Sequence, residues 1–544
     1  DPYRRHSHMF IRDRKEGRGM EKVECWKPII LTLKTNKLYK NPFLDCSIIA
    51  KFAGPHEQVI VREAYWDGGC IFKISFAPTE VGIWKYSLQC EEEEDIHQKM
   101  GEIECIPYTG KHAIYQHGFL KISEDHRYFT FADGTPFFWL GDTHWEFAYR
   151  EKWDASNHPE MKSMFKGMVD RRIEQGYTVY QTNLRSDLLM GGDSLYWKEP
   201  NVPNVAFYQN ELDRRMYYIA EKGLVNALGF AWFMSIENQI EKYQNLARYI
   251  LARYGALPMV WTIAGEAGGY EKSKQPLYID AWREVALTVQ KLDSYHHPRT
   301  AHYTNERPFA SYYQNEDWFD FTLNQAGHGD FLVSVDDYKA FLKEHNDKPF
   351  IEGEAFYEFC STLEENGTRM CTSDMVRRVA YLTIQAGGCG YTYGAQGIWD
   401  NVWEKGSENK MAIFNQYDVP WYEAIDGVGG YQMGYMRKFY EDQKFWKLYP
   451  YHTDNEDIGD PFGKKMPLIS VTKDKKHWVF YYPELTRKSG IIYGLSNAIY
   501  EMQWFNPRTG IYDENIKEIQ IENKTWKIPM KPDKKDWCLV LKEK

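Results

Sequence analysis

Lys348-Pro-Phe-Ile-Glu-Gly-Glu-Ala-Phe-Tyr357 is a short apolar run that ends in two carboxylates. Phe350 and Ile351 predict a buried strand, and Glu352 and Glu354 follow two residues apart. Because side chains alternate along a strand, both carboxylates are expected on one side of it. Charges on a buried strand cost free energy unless they serve a purpose. The stretch therefore predicts a strand of a parallel barrel, in which the carboxyl ends of the strands carry the chemistry.

A second stretch, Met259-Val-Trp-Thr-Ile-Ala-Gly-Glu266, is also an apolar run that ends in a carboxylate. Two strands that each deliver a glutamate to one rim are the arrangement that cleavage of a glycosidic bond requires. One carboxylic acid protonates the leaving oxygen, and a second carboxylate acts as nucleophile or activates water. We predict Glu266 as the acid/base and Glu354 as the nucleophile.

Each of these carboxylates also has a structural interpretation. Glu266 could be a charge at a helix N-terminus after a glycine turn, and Glu354 could belong to a structural ion pair. Glu352 is predicted to lie deeper in the strand, as hydrogen-bonded support, and it is the reserve candidate for the nucleophile.

Strand and helix patterns alternate from about residue 116 to residue 449. This alternation is typical of parallel βα units, and eight strands with intervening helices are the number in an α/β (β/α)8 TIM barrel. The predicted strands are 137–142, 178–183, 225–232, 259–266, 300–304, 320–325, 350–354 and 389–393. The predicted helices are 161–175, 211–222, 243–254, 281–292, 338–344 and 374–386.

Short strand patterns separated by turns flank this region on both sides. Residues 20–115 predict an N-terminal antiparallel β-sandwich, and residues 450–544 predict a C-terminal one. Residues 1–19 are basic and polar, without the apolar run of a signal peptide, and are interpreted as a leader or a remnant of expression. The acidic run 91–95 is interpreted as a solvated hairpin tip, with a calcium site as the alternative.

Polar and aromatic side chains are predicted at or just past the ends of the other strands, where a sugar pocket needs hydrogen-bonding groups and flat walls. Asp142 could bind a sugar hydroxyl or orient His144, and it could instead cap the next segment. For the others, a satisfied polar group or core packing is the alternative. The candidate substrate-binding residues are Asp142, His144, Trp145, Asn183, Trp232, His302, Asn324, Gln325, His328, Glu352, Tyr357, Tyr393 and Trp399.

Composition narrows the possible partners. The net charge is −10, and no basic block is interleaved with aromatic residues, so nucleic acid is not an expected partner. No apolar run reaches membrane-spanning length. Aromatic residues are 16% of the chain, which suits either stacking on sugars or β-rich packing. No phosphate loop, dinucleotide fingerprint or nucleophile elbow is present, so no cofactor is predicted. The sequence does not decide whether the protein forms a homo-oligomer.

The nine cysteines include no pair at CxxC spacing, which argues against a zinc site, and no metal is predicted. Their odd number favours a reducing compartment, and hence the cytoplasm, unless a signal peptide was removed, in which case the protein is secreted or periplasmic. Five of them precede residue 110, so one or two disulfides in the first domain stay open.

Three stretches, 137–145, 260–266 and 348–358, resemble the apiosidase-like glycoside hydrolase family, which lies in a large clan of retaining (β/α)8 glycosidases. The first domain, with Phe76-Ala-Pro-Thr-Glu-Val-Gly-Ile-Trp-Lys-Tyr86, resembles the β-sandwich that commonly precedes this barrel. The last resembles the small domain, labelled collagen-binding-like, that often follows it. The resemblance implies an acid/base at Glu266, a nucleophile at Glu354 and retention of configuration.

These observations predict a glycoside hydrolase that removes a terminal sugar from an oligosaccharide or glycoside by double displacement. Three alternatives remain. The first is a carbohydrate-binding protein of glycosidase fold without catalysis, and the second is an inverting glycosidase. The third is a metal-dependent enzyme that uses Asp142, His144 and His328, for which the spacing of the ligands gives no support.

Overall fold

The computed structural model of the protein describes residues 8–10, 20–184, 195–328, 335–364, 367–407, 414, 416–451, 467–484, 486–487 and 489–544. Among these residues, no helix is both long and apolar enough to cross a membrane.

A curled sheet of seven parallel strands forms the centre of the fold, and its strands are buried on both faces. Continuous burial is typical of parallel sheets, because helices cover them. The strands are β1 (Trp139–His144), β2 (Val179–Asn183), β3 (Val225–Trp232), β4 (Met259–Gly265), β5 (Thr322–Gln325), β6 (Phe350–Glu354) and β7 (Gly390–Tyr393). Their order across the sheet is β4-β3-β2-β1-β7-β6-β5. The α/β class with flanking β sheets is thereby confirmed.

The strand predicted at 300–304 is wrong as a regular strand. The segment lies between β4 and β5 and makes isolated bridges at Arg299 and His302 to each of them. Its backbone hydrogen bonds go to both neighbouring strands: His302 N donates to Ala264 O at 3.1 Å, and Tyr303 N donates to Leu323 O at 3.1 Å. Ile263 in β4 has a φ of 47°, so β4 leaves extended geometry opposite this segment and a continuous ladder does not form.

Helices follow the strands along the chain and cover the outside of the sheet. They are α1 (Met164–Glu174), α2 (Asp213–Glu221), α3 (Ile240–Tyr254), α4 (Gln275–Leu292), α5 (Val335–Glu344), α6 (Ser373–Gln385) and α7 (Val428–Asp442). The apolar faces of α2, α3 and α4 share one core with β2–β4, and those of α5–α7 share a second core with β1, β6 and β7. Helix α4 begins earlier than predicted, since a proline is tolerated in the first turn of a helix.

The first flanking region is a pair of sheets that share one apolar core. Phe52 from one sheet stacks on Phe76 from the other, with ring centroids 3.8 Å apart. One sheet contains His8–Phe10, Ile29–Lys34, Ile71–Phe76 and Tyr65–Trp66, and the other contains Glu21–Glu24, Met100–Ile106, Gly82–Gln89, Ile49–Ala53 and Val59–Glu63. The strand His8–Phe10 lies in the segment that was predicted as a leader or remnant.

The last region is a seven-stranded sheet with a separate two-stranded hairpin. Its strands are Leu448–Pro450, Leu468–Thr472, His477–Tyr482, Trp537–Glu543, Ile499–Asn506, Ile511–Tyr512 and Lys517–Gln520, and the hairpin pairs Ile491–Tyr493 with Thr525–Lys527. The core that α6 and α7 share with the parallel sheet continues into this sheet through Val479, Tyr481 and Phe505.

Shorter elements fill the connections. The end of the parallel sheet opposite the glutamates is covered by Phe129, whose ring lies 5.4 Å from Trp139 and 4.9 Å from Phe321. The short strands are Lys121–Ile122, Phe129–Thr130, Pro136–Phe137, Trp197–Glu199, Val202–Pro203, Ser361–Glu364 and Gly367–Met370. The short helices are Pro42–Asp45, Ala113–Gln116, Val205–Phe207, Tyr208–Leu212, Phe233–Ile236, Trp421–Ala424 and Phe445–Lys447.

Candidate active site

Glu354 is the last residue of β6, and its carboxylate contacts two histidines. His328 Nε2 lies 2.8 Å from Oε1, and His302 Nε2 lies 3.1 Å from Oε2. The Glu354 side chain is only 8% exposed. Burial alone would raise its pKa, but the contacts with the two histidines outweigh burial and lower the pKa of Glu354 to about 2. Glu354 is therefore held ionised at neutral pH.

Glu266 directly follows β4 and is half-buried. Its φ is 50°, a left-handed conformation that turns the chain sharply at the strand end. Its Oε1 accepts hydrogen bonds from the Tyr270 hydroxyl and from Gln325 Nε2, the latter at 3.1 Å. Desolvation, followed by the negative charge of Glu354, raises the pKa of Glu266 above its usual range.

The two carboxyl groups are thus pushed toward opposite protonation states. Gln325 connects them, because it lies opposite Glu354 in the β5–β6 pairing and donates to Glu266. The pairing is irregular between Asn324 and Gln325, so that these consecutive residues lie opposite Glu352 and Glu354. A carboxylic acid beside an ionised carboxylate is the division of roles that acid-assisted displacement requires.

Glu352 is fully buried and saturated with hydrogen bonds. Its carboxylate accepts from Asn324 Nδ2 at 2.7 Å, from Tyr338 Oη at 2.7 Å and from Ala326 N at 2.9 Å. Burial raises the pKa of Glu352 to about 7, although these bonds oppose the rise. This environment suits the predicted supporting role better than the reserve role of nucleophile.

Aromatic residues enclose the histidine beside Glu354. The ring of Trp145 lies 5.6 Å from His302 and 5.3 Å from Trp232. All three side chains are at most 5% exposed. His302 would lose its proton on burial alone, but its contact with Glu354 raises its pKa. These predicted site residues are brought together.

On the other side of Glu354, Tyr357 lies with its ring 4.3 Å from His328. Burial and then the charge of Glu354 raise the pKa of Tyr357 well above its usual range, so its hydroxyl keeps its proton. Trp399 lies next to Tyr357, with ring centroids 6.1 Å apart, and donates its Nε1–H to Gln396 at 3.1 Å. Both aromatic residues are therefore neighbours of the Glu354 cluster.

The structure places Asp142 and His144 in a different cluster, without any exposed side-chain surface. Asp142 Oδ2 accepts from His144 Nε2 at 2.6 Å and from Arg172 Nε at 2.5 Å. His144 Nδ1 lies 2.7 Å from Glu151. Burial opposes every charge here, but the partners lower the pKa of Asp142 and raise that of His144 to about 9. Asp142 therefore contacts His144, as one of its two functional interpretations predicted, and its side chain has no exposed surface.

Two further candidates are engaged with protein groups. Asn183 donates to Ala231 O at 3.2 Å. Tyr393 is fully buried and donates to Glu358 at 2.5 Å. The guanidinium carbon of Arg172 lies 5.1 Å from the centre of the Tyr393 ring. Tyr393 thus belongs to the neighbourhood of Asp142 rather than that of Glu354.

Several functional neighbours were not predicted from the sequence. Tyr270 follows Glu266 by four residues, after Ala-Gly-Gly, and its position in an irregular turn carried no periodic signal. Tyr338 reaches Glu352 from α5, and Arg172 reaches Asp142 from α1, each across a long stretch of chain. Spacing along the chain cannot identify such partners.

Metal ligation at this end of the sheet has little geometric support. His144 contacts Asp142 and Glu151, whereas His328 contacts Glu354, so the three ligands of the metal-dependent alternative do not form one group. Within the described ranges, the group of side chains with metal-binding spacing lies elsewhere, at Cys46, Cys90 and Glu92.

Two glutamates whose pKa values are shifted in opposite directions, at the carboxyl end of a curled parallel sheet, are typical of glycoside hydrolases. Comparison with protein families agrees: residues 123–447 match the model described as the apiosidase-like catalytic domain. This match covers more than half of the chain, and the chain belongs to the apiosidase-like family. Residues 22–91 match a domain of unknown function, and residues 454–542 match a proposed collagen-binding domain of a collagenase. The predicted enzyme class, a glycosidase, is confirmed at the level of the family.

Solved structures share this fold at low identity. A Bacteroides vulgatus protein proposed to be a glycoside hydrolase is 17% identical, with a TM-score of 0.70, over 96% of this chain and 100% of that one. A second glycoside hydrolase is 22% identical, with a TM-score of 0.64, over 80% of this chain and 99% of that one. A family 5 glycoside hydrolase from Bacteroides vulgatus is 19% identical, with a TM-score of 0.64, over 80% and 95%. No curated protein matches the chain.

Proposed function

We propose that this protein hydrolyses a glycoside or oligosaccharide at a terminal sugar by a retaining double displacement. The observation that carries the proposal is the opposite perturbation of two neighbouring carboxyl groups. The pKa of Glu354 is lowered to about 2, while that of Glu266 is raised. Glu354 is thus suited to act as an ionised nucleophile, and the raised pKa of Glu266 favours the protonated form that can donate to the leaving oxygen.

In the first step, a carboxylate oxygen of Glu354 attacks the anomeric carbon while Glu266 transfers its proton to the glycosidic oxygen. The bond to the leaving oxygen breaks, an alcohol departs, and a glycosyl ester on Glu354 forms. In the second step, the Glu266 carboxylate takes a proton from water as the water oxygen attacks the anomeric carbon. The ester bond breaks, and Glu354 is released as a carboxylate. Tyr270 and Gln325 support the ionised form of Glu266 between the steps.

The surroundings of Glu354 support action on a terminal sugar. Trp145, Trp232 and His302 are almost completely buried around it, so one side of the site is closed to an extended chain. We assign sugar contacts to these residues together with His328, Tyr357, Trp399 and Gln325. Asp142, His144, Asn183, Tyr393, Asn324 and Glu352 are assigned instead to supporting the strand ends.

We further propose that the parallel sheet closes as a (β/α)8 barrel, with residues 299–303 in the fifth position. The hydrogen bonds of that segment to both β4 and β5 support this closure. Three domains, at 20–115, 116–449 and 450–544, agree with the separate sheets, although the strand Leu448–Pro450 pairs with the last sheet and moves that boundary slightly toward the N-terminus.

Turnover of a panel of aryl glycosides and oligosaccharides, by wild type beside Glu354→Gln and Glu266→Gln, tests the proposal. We expect Glu354→Gln to lose at least a thousandfold in kcat/KM, and Glu266→Gln to lose about 10²–10⁴-fold, less on aryl glycosides with good leaving groups. Glu271→Gln is the matched control, because Glu271 lies five residues past Glu266 and is 61% exposed. Hydrolysis that survives in both site variants would refute the assignment.

The anomer released first, observed by NMR before mutarotation, separates the retaining mechanism from the inverting alternative. Retention requires a glycosyl ester on Glu354, whereas inversion would leave Glu354 to activate water. Sugar binding without turnover in the wild type would favour the alternative of a binding protein without catalysis.

A further inference from the structure

Two cysteines and a glutamate converge at one end of the first flanking region, far along the chain from the glutamates of the active site. Cys46 directly follows the short helix Pro42–Asp45, and Cys90 directly follows the strand Gly82–Gln89. That strand pairs antiparallel with Ile49–Ala53, with Ile49 opposite Gln89. The pairing brings together two cysteines that are 44 residues apart in sequence.

The distances among these side chains are short and specific. Cys46 Sγ lies 3.9 Å from Cys90 Sγ, and Cys90 Sγ lies 3.5 Å from Glu92 Oε2. One ligand atom from each of the three residues lies within 4.8 Å of the other two. Both cysteines are at most 4% exposed, and Glu92 is half-buried, so Glu92 is the most exposed member of the group.

We propose that Cys46, Cys90 and Glu92 bind one Zn²⁺ ion. Tetrahedral zinc has bonds of about 2.3 Å to sulfur and about 2.0 Å to a carboxylate oxygen, which places two sulfurs about 3.8 Å apart and a sulfur about 3.5 Å from the oxygen. The observed separations, 3.9 Å and 3.5 Å, match both values. The half-exposed side of Glu92 leaves the fourth position to water.

The surrounding turn is already shaped for a fixed ligand set. The neighbouring Glu93 is buried and accepts from Asn36 N at 3.0 Å, Lys37 N at 3.2 Å and the Tyr39 hydroxyl at 2.8 Å. Glu93 thereby anchors the acidic run from the inside, while the neighbouring Glu92 contacts the Cys90 thiol. A bound cation would link the beginning of one strand to the end of its neighbour, with three protein ligands and one position open to water.

Soft thiolates together with a carboxylate select zinc over magnesium or calcium, which prefer ligand sets made of oxygen alone. A disulfide between the two cysteines would require the sulfurs to approach to about 2.0 Å. A second pair, Cys25 and Cys105, lies buried in the same region. Among the residues that the structure describes, no carboxylate is grouped with Cys25 and Cys105. A substitution of one of these two cysteines therefore serves as a control.

The experiment is a titration of the full chain, reduced and freed of metal, with Co²⁺ as a spectroscopic probe and then with Zn²⁺. We expect thiolate-to-cobalt charge-transfer absorption that saturates at one equivalent per chain and disappears as Zn²⁺ displaces Co²⁺. The absorption should be lost in Cys46→Ser and Cys90→Ser and kept in Cys105→Ser. Zn²⁺ should raise the Tm of the wild type and leave that of Cys46→Ser unchanged.

Glu92→Gln should weaken Zn²⁺ binding at least tenfold, whereas Glu91→Gln, whose side chain is exposed, should leave it unchanged. This pair decides the question even if the cysteine variants fail to fold. The proposal is overturned if thiol counting finds Cys46 and Cys90 free and the wild type shows no charge-transfer absorption. It is equally overturned if the absorption persists in Cys46→Ser or if Glu92→Gln binds as tightly as the wild type.

Discussion

Replacing Tyr270 by phenylalanine should move the alkaline limb of the pH–activity profile upward. In the proposed mechanism this limb reports the loss of the proton from Glu266 in the free enzyme. The Tyr270 hydroxyl donates to Glu266 Oε1 and so favours its ionised form. Without that hydrogen bond, Glu266 should hold its proton to higher pH.

The size of the shift follows from the strength and exposure of this contact. A hydrogen bond to a charged group contributes about 1.5–3 kcal/mol, and one pKa unit corresponds to about 1.4 kcal/mol. A fully buried bond would therefore move the limb by about 1–2 units. Tyr270 is 53% exposed, so water replaces part of the lost interaction. We expect an upward shift of roughly 0.5–1 unit.

The assay is kcat/KM against pH, on the best aryl glycoside of the panel, for wild type and Tyr270→Phe. Tyr278→Phe is the matched control, because Tyr270 and Tyr278 both pack edge-on against Phe233, at 6.0 Å and 5.4 Å, while the Tyr278 hydroxyl contacts Glu237 instead. The control should keep the profile of the wild type. An alkaline limb that stays in place or moves down in Tyr270→Phe would refute the role of Glu266 as the titrating acid.

Three further predictions concern the site and its support. His328→Gln should move the acidic limb of the kcat/KM profile up by about one pH unit, because one of the two histidine contacts that hold the pKa of Glu354 near 2 is lost. A limb that does not move would contradict the assignment of Glu354 as the nucleophile. The pKa of His144, about 9, predicts that the free energy of unfolding falls as pH rises from about 6.5 to 9, by about 3 kcal/mol. Glu151 and Asp142 raise this pKa together, so Glu151→Gln and Asp142→Asn, each followed by urea unfolding, should each weaken the dependence. Gly434→Ala would place Cβ 1.8 Å from the backbone oxygen of Gln175, directly after α1, and should lower the free energy of unfolding by about 1–3 kcal/mol in the same measurement.

Much of the scaffold was predictable because it depends on local patterns. The strand at 350–354 was predicted with the bounds that the structure has, since a short apolar run directly after Lys348-Pro349 is a local signal for a buried strand. The alternation of strands and helices likewise indicated the class of fold. The prediction of a strand at 300–304 was wrong, because β4 is irregular opposite this segment and offers no regular partner. The conformation of a partner strand cannot be inferred from the sequence of the segment that pairs with it.

The chemistry of the site was only partly accessible in this way. The sequence by itself determined which strands end in carboxylates, because side-chain alternation and apolar runs are local properties of the chain. Only the tertiary structure decided which carboxyl group is acidic, since the pKa of Glu354 depends on two histidines from other segments. The same reason placed Asp142 in a buried ion cluster and brought Cys46 to Cys90 without any short-range motif. Burial and charge act through space, and only folding sets the distances over which they act.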